Sequence, residues 1–178
     1  PLQENKLNTS SSKNNMYSFF GYADIMPIDG LKITLNGTLT SYDSRGTDAT
    51  QPFYGYSRTA YPTGFVSRSS DQTYSYNFQQ LVNYHHDFGH HHMEILLGHE
   101  FYRSRYENLF GTKTGMASYF TNQTLAGAIK LDKTGESGNS AYESEGFFGR
   151  GQYDYDQKYF GSISYRRDAS SRFDPDHR

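Results

Sequence analysis

The densest group of chemistry-bearing side chains is the run His85-His86-Asp87-Phe88-Gly89-His90-His91-His92. Neutral imidazoles this close in sequence can ligate zinc or copper. A resident metal also needs ligands held in orientation by outer hydrogen bonds, whereas this run reads as the tight turn of a hairpin, where polar side chains meet water. No metal and no cofactor are expected. Glu94 and Glu100 share one face of an extended segment, but six residues of strand separate them by about 20 Å, too far for the acid and nucleophile of a glycosidase. There is no G-x-S-x-G elbow or other nucleophile motif, and no phosphate-binding loop. The chain has no cysteine, which removes thiolate catalysis, disulfides and Cys-bound zinc together. No catalytic residue is expected.

The elements that carry these residues are strands. Seventeen Tyr, 13 Phe and 17 Gly with no Trp favour pleated structure, because aromatic side chains fit a sheet surface. The charges nearly balance, with 17 Lys and Arg against 19 Asp and Glu, which argues against both a disordered chain and a phosphate-binding surface for nucleic acid. Six alternating runs are legible. Met16 to Met26 ends in the turn-forming Pro27-Ile28-Asp29-Gly30. Leu31 to Asp43 follows, with Leu31, Ile33, Leu35, Gly37 and Leu39 on one face. Tyr74, Tyr76, Phe78, Val82 and Tyr84 form the next apolar row, broken only by Gln80. After the turn at Asp87-Phe88-Gly89, Met93, Ile95, Leu97 and Phe101 face one way and Glu94, Leu96, Gly98 and Glu100 the other. Phe147 to Tyr155 and Tyr159 to Asp168 make a third hairpin around Asp156-Gln157-Lys158. Ser44 to Gln72 and Tyr106 to Glu143 have no usable period and read as long loops.

Two loops of that length count against a compact soluble domain. Short turns at one end alternating with long loops at the other are the pattern of an outer-membrane barrel, in which the apolar rows meet lipid and the polar rows line a watery lumen. Glu94, Glu100, Arg150, Gln152, Asp154 and Arg166 are then lumen-lining, with Arg150, Gln152 and Asp154 facing Ser162, Ser164 and Arg166 on the next strand. Asp168 is placed to accept hydrogen bonds from nearby arginines. His99 falls in the lipid-facing row, which a bulge, an interfacial position or a different register would each explain. The loop aromatics Tyr54, Tyr56, Tyr61, Tyr106 and Tyr119 are the candidate substrate contacts, since rings stack on sugars and pack against peptides.

The last third of the chain carries a specific resemblance. Gly149-Arg150-Gly151-Gln152-Tyr153-Asp154-Tyr155, then Lys158-Tyr159, then Arg166-Arg167-Asp168-Ala169-Ser170-Ser171-Arg172-Phe173 closely resembles the barrel text of SusC-like TonB-dependent transporters of Bacteroidetes, with Gln152 and Ala169 where Asn and Gly recur. Phe88-Gly89 with His92, and Leu97-Gly98-His99-Glu100, are similar to other parts of the same barrels. The resemblance implies an all-β segment of six antiparallel strands, three hairpins with short periplasmic turns and long extracellular loops. It belongs to a barrel of about 22 strands in the bacterial outer membrane. It implies an importer of oligosaccharides or oligopeptides, not an enzyme, energised through TonB and working with a SusD-like surface lipoprotein. The 178 residues would be a fragment of the barrel domain, without the plug or the TonB-contacting segment. A secreted β-sandwich adhesin or carbohydrate-binding module is the alternative, and it requires the apolar rows to be buried against a second sheet.

Overall fold

A computed structural model describes residues 8–52, 63–116 and 123–173, with only the backbone of 131–134. These residues form one six-stranded sheet in which sequence neighbours pair throughout, β1-β2-β3-β4-β5-β6. The strands are β1 (Thr9–Ile28), β2 (Leu31–Thr50), β3 (Phe65–Phe88), β4 (His91–Met116), β5 (Ala128–Tyr155) and β6 (Tyr159–Ser170), with a single 3-10 turn at Leu125–Gly127. All six expected strands are present, in the expected order and pairing. The second sheet that a sandwich requires is not among the described residues.

The turns follow from local chemistry. At the first hairpin Gly30 takes φ +80°, its carbonyl accepts from the His85 backbone N–H at 2.8 Å, and a Cβ there would lie 2.2 Å from the His85 carbonyl oxygen. Only glycine meets both demands. At the third hairpin Asp156 and Gln157 both have positive φ, +52° and +56°, and the Lys158 N–H returns to the Tyr155 carbonyl at 3.0 Å. Two consecutive left-handed residues make a type I′ turn, whose twist matches that of the flanking strands. Asp154 supports it by accepting from the Gln157 N–H at 3.1 Å.

The expected loops need correction. The strands run well past the hydropathic alternation: β2 continues to Thr50, β3 already begins at Phe65, β4 runs to Met116 and β5 begins at Ala128. Only residues 51–64 and 117–127 connect them, and Tyr106 lies within β4 rather than in a loop. Alternation of apolar and polar residues reports a sheet with one oily face, and these extensions carry only scattered apolar residues, such as Val66, Phe110 and Met116, with no period of two. Their ladders are held by the backbone, which hydropathy does not register.

By contact the chain divides into two units, residues 1–17, 41–73 and 106–140 in one, and 18–40, 74–105 and 141–178 in the other. The first has a small core of Ala49, Val66, Met116 and Ala128, with Leu125 packed against it. Arg68 ties three segments of this unit together, reaching the Thr47 hydroxyl at 2.6 Å and the Gln123 carbonyl at 3.1 Å. The second unit is a bare sheet whose apolar side chains stand exposed: Phe19 at 69%, Leu97 at 55% and Ile163 at 77%. Among the described residues nothing packs on these apolar rows, and large exposed apolar groups in such number mark an interaction surface.

Candidate functional site

The register of β5 and β6 sets the two faces of the sheet. Arg150 pairs with Ser164, Gln152 with Ser162, Asp154 with Phe160 and Phe148 with Arg166. Side chains of paired residues point to the same side, so the even-numbered row is polar. The odd-numbered row, Gly149 with Tyr165, Gly151 with Ile163 and Phe147 with Arg167, is mostly apolar. The same division carries across the unit. Asn36 donates to Gln79 at 3.0 Å, Asn83 to Glu94 at 2.9 Å and Asn77 to Glu100 at 3.4 Å. At the other end of the sheet, Asp24 accepts from Thr34 at 2.6 Å and pairs with Lys32 at 3.1 Å.

Glu94, Glu100, Arg150, Gln152, Asp154 and Arg166 therefore stand on one face, brought together from β4, β5 and β6. Arg166 is held on two sides. Its Nε donates to both carboxylate oxygens of Asp168 at 2.9 and 2.8 Å, as expected of Asp168, and its Nη2 lies 3.8 Å from Glu100. Its guanidinium also sits 5.4 Å from the centre of the Phe148 ring, a cation–π contact. Phe148 in turn lies flat across Gly98, where a Cβ would come within 2.1 Å of the ring. Gly98 is thus the floor on which the Phe148–Arg166 pair rests. Of the tyrosines expected to touch substrate, Tyr106 donates its hydroxyl to Asp71 at 2.7 Å, and Tyr54, Tyr56, Tyr61 and Tyr119 lie outside the described residues.

The histidine run does not converge on one point, because a strand turns successive side chains to opposite faces. His85 and His92 join Asp87, Glu94, Gln152 and Asp154 around a hollow of about 380 Å³ on the polar face, where His92 Nδ1 is 2.8 Å from Asp87. His86 and His91 stack among aromatic rings on the apolar face. His90, in the turn, lies 3.1 Å from Asp156. Among the described residues no group of three or more His, Asp or Glu is arranged to hold a metal.

His99 is resolved by a network that sequence reading missed. Its Nδ1 lies 2.9 Å from Gln80 and its Nε2 2.8 Å from Glu145, and its ring stacks on Phe147 at 4.5 Å. Gln80 is the residue that breaks the apolar row of β3, so the two exceptions on neighbouring strands satisfy each other. That coincidence was the available signal. Neither a bulge nor an altered register is needed.

No protein-family model and no curated protein matches the chain. Solved structures do. A chain in the structure of the RagAB peptide transporter matches 97% of this chain at TM-score 0.88 and 24% identity. In the "open-open" state of the RagAB peptide importer the values are 94%, 0.85 and 24%. This chain has the all-β fold of the matched segment of the RagAB transporter chain. BauA, the ferric preacinetobactin receptor from Acinetobacter baumannii, matches more distantly, at TM-score 0.50 and 11% identity over 93% of this chain. The chain spans 19% of the RagAB transporter chain and 26% of BauA, so the barrel segment is a minor part of either.

Proposed function

We propose that residues 1–178 form part of the barrel wall of an active importer in the bacterial outer membrane. The importer takes up oligosaccharides or oligopeptides, is energised through TonB and works with a SusD-like surface lipoprotein. The observation that carries this reading is a single sheet, matched to a transporter barrel, in which the described residues of 18–40, 74–105 and 141–173 present one polar face and one exposed apolar face. The apolar face meets hydrocarbon and the polar face a watery lumen, an arrangement a soluble domain has no use for. Placing Glu94 and Glu100 toward lipid would cost several kcal/mol each, whereas the lumen accepts them without penalty.

In this reading Glu94, Glu100, Arg150, Gln152, Asp154 and Arg166 line the lumen. The turns at Asp29, Gly89 and Asp156 lie on the periplasmic side, and the long connections, which carry Tyr54, Tyr56, Tyr61 and Tyr119, lie outside the cell and are available to solute. The chain is a wall and has no catalytic role. The test is made in cells bearing the full-length transporter. Protease added to intact cells should cut within residues 51–64 or 117–127 and spare the three short turns, and deletion of the gene should abolish uptake of one oligopeptide or oligosaccharide class. Cuts at the turns with the long connections protected would refute the topology, and undiminished uptake of every solute tried would refute the function.

A further inference from the structure

The unit made of residues 1–17, 41–73 and 106–140 holds another hollow, of about 200 Å³, whose residues have no part in the lumen-lining row. Its walls are largely apolar. Leu109, Phe110 and Leu125 line it, and Leu125 is held in place by packing on the buried core of Ala49, Val66, Met116 and Ala128. Gly111 keeps the hollow open, since a Cβ at that position would already lie 3.0 Å from Leu125 Cδ1. Leu109 is 60% exposed, so apolar area here stays in water that a guest would displace.

Two cations stand at this hollow, Arg68 from β3 and Lys113 from β4, and no carboxylate lines it. Arg68 is held by neutral acceptors alone: Nε donates to the Gln123 carbonyl at 3.1 Å and Nη1 to the Thr47 hydroxyl at 2.6 Å. These bonds fix the plane of the guanidinium and leave its remaining N–H donors unused. Lys113 forms no hydrogen bond and no ion pair among the described residues. Elsewhere in the sheet cations are matched, Lys32 by Asp24, Arg103 by Glu143 and Arg166 by Asp168. The hollow is a positive site whose counter-charge is not among the described residues.

We propose that this hollow binds a small apolar monocarboxylic acid, with its carboxylate between Arg68 and Lys113 and its hydrocarbon body against Leu109, Phe110 and Leu125. Apolar walls with a few convergent polar groups are the usual make-up of a ligand pocket. The guanidinium fork matches a planar carboxylate, and hydrogen bonds of this charge-assisted kind are about twice as strong as neutral ones. Size limits the body. About 200 Å³ holds roughly six or seven water-sized groups at about 30 Å³ each, enough for a chain of about five carbons and too little for a long acyl chain. A phosphate monoester is less suited, because its second charge would have to be dehydrated against the same apolar walls. The site lies wholly within one unit, so it does not depend on which face of the sheet meets lipid.

The test uses the full-length protein in detergent, with radiolabelled hexanoate in equilibrium dialysis and protein-free micelles as the blank. Hexanoate should bind at a single saturable site, at least about tenfold more tightly than hexanamide, a competitor with the same chain and no charge. Lys113→Gln breaks no contact among the described residues. It should weaken hexanoate at least about fivefold and leave hexanamide unchanged, and Lys113→Arg should retain the wild-type affinity. Binding that does not saturate, equal affinity for acid and amide, or wild-type affinity for hexanoate in Lys113→Gln would each overturn the proposal. N-acetyl-leucine binding about tenfold more tightly than hexanoate would overturn the free acid as the ligand and assign the site to peptide ends.

Discussion

The outward row of β4 allows the membrane reading to be tested at single-residue resolution. Ile95 and Leu97 line an apolar groove with Phe147, Ile163 and Tyr165, over a floor of Gly149 and Gly151; Leu96, between them, belongs to the polar row of Glu94 and Gly98. Ile95 and Leu97 both stand inside the outward row that runs from Met93 to Phe101, with Leu97 at its middle. Arginine on a lipid face costs about 2–4 kcal/mol at the midplane and about 0–1 near the interface. Ile95→Arg should therefore destabilise the assembled barrel by about 2–4 kcal/mol. Leu97→Arg, at the middle of that row, should also cost about 2–4 kcal/mol. Leu96→Arg faces the lumen and should cost least, altering uptake instead. The assay is equilibrium urea unfolding of the full-length transporter in phosphatidylcholine vesicles, with uptake measured in cells. A Leu96 penalty equal to or above that of Ile95 would mean that the two faces are assigned the wrong way round. Penalties near zero at both Ile95 and Leu97 would mean that this row does not face hydrocarbon.

Further outcomes follow from the packing. Gly98→Ala drives a methyl into the Phe148 ring and should cost about 1–3 kcal/mol, most of it recovered in Gly98→Ala/Phe148→Ala, as read by a double-mutant cycle of unfolding free energies. His99→Phe removes the partner of both Gln80 and Glu145 and should cost about 1–3 kcal/mol, whereas replacing all three by apolar residues should be close to neutral; a triple variant no better than His99→Phe would refute the network. Gln157→Gly relieves a left-handed non-glycine residue and should raise stability by up to about 1 kcal/mol, seen as a higher urea midpoint with an unchanged slope.

The fold was legible in the sequence wherever hydrophobicity alternated. Leu31 to Leu39, Tyr74 to Tyr84 and Met93 to Phe101 each show a period of two, which a one-residue shift would reverse, so strand identity and face were set locally. The turns were legible too, since Asp29-Gly30 and Asp156-Gln157 interrupt that period with turn-forming residues. The strand extensions to Thr50 and Met116 were not, because their apolar residues are too few and too irregular to show a period of two, and their ladders are made by the backbone. Of the candidate site, the row of Glu94, Glu100, Arg150, Gln152, Asp154 and Arg166 followed from parity alone. Which residues touch within it did not: the seat of Phe148 on Gly98, the grip of Asp168 and Glu100 on Arg166 and the rescue of His99 by Gln80 and Glu145 all depend on the register between strands. Register joins residues up to 66 positions apart in these contacts, as with Glu100 and Arg166, and no local pattern encodes it. The histidine run shows the division most plainly: its composition suggested one cluster, and the pleat of the sheet divided it between two faces.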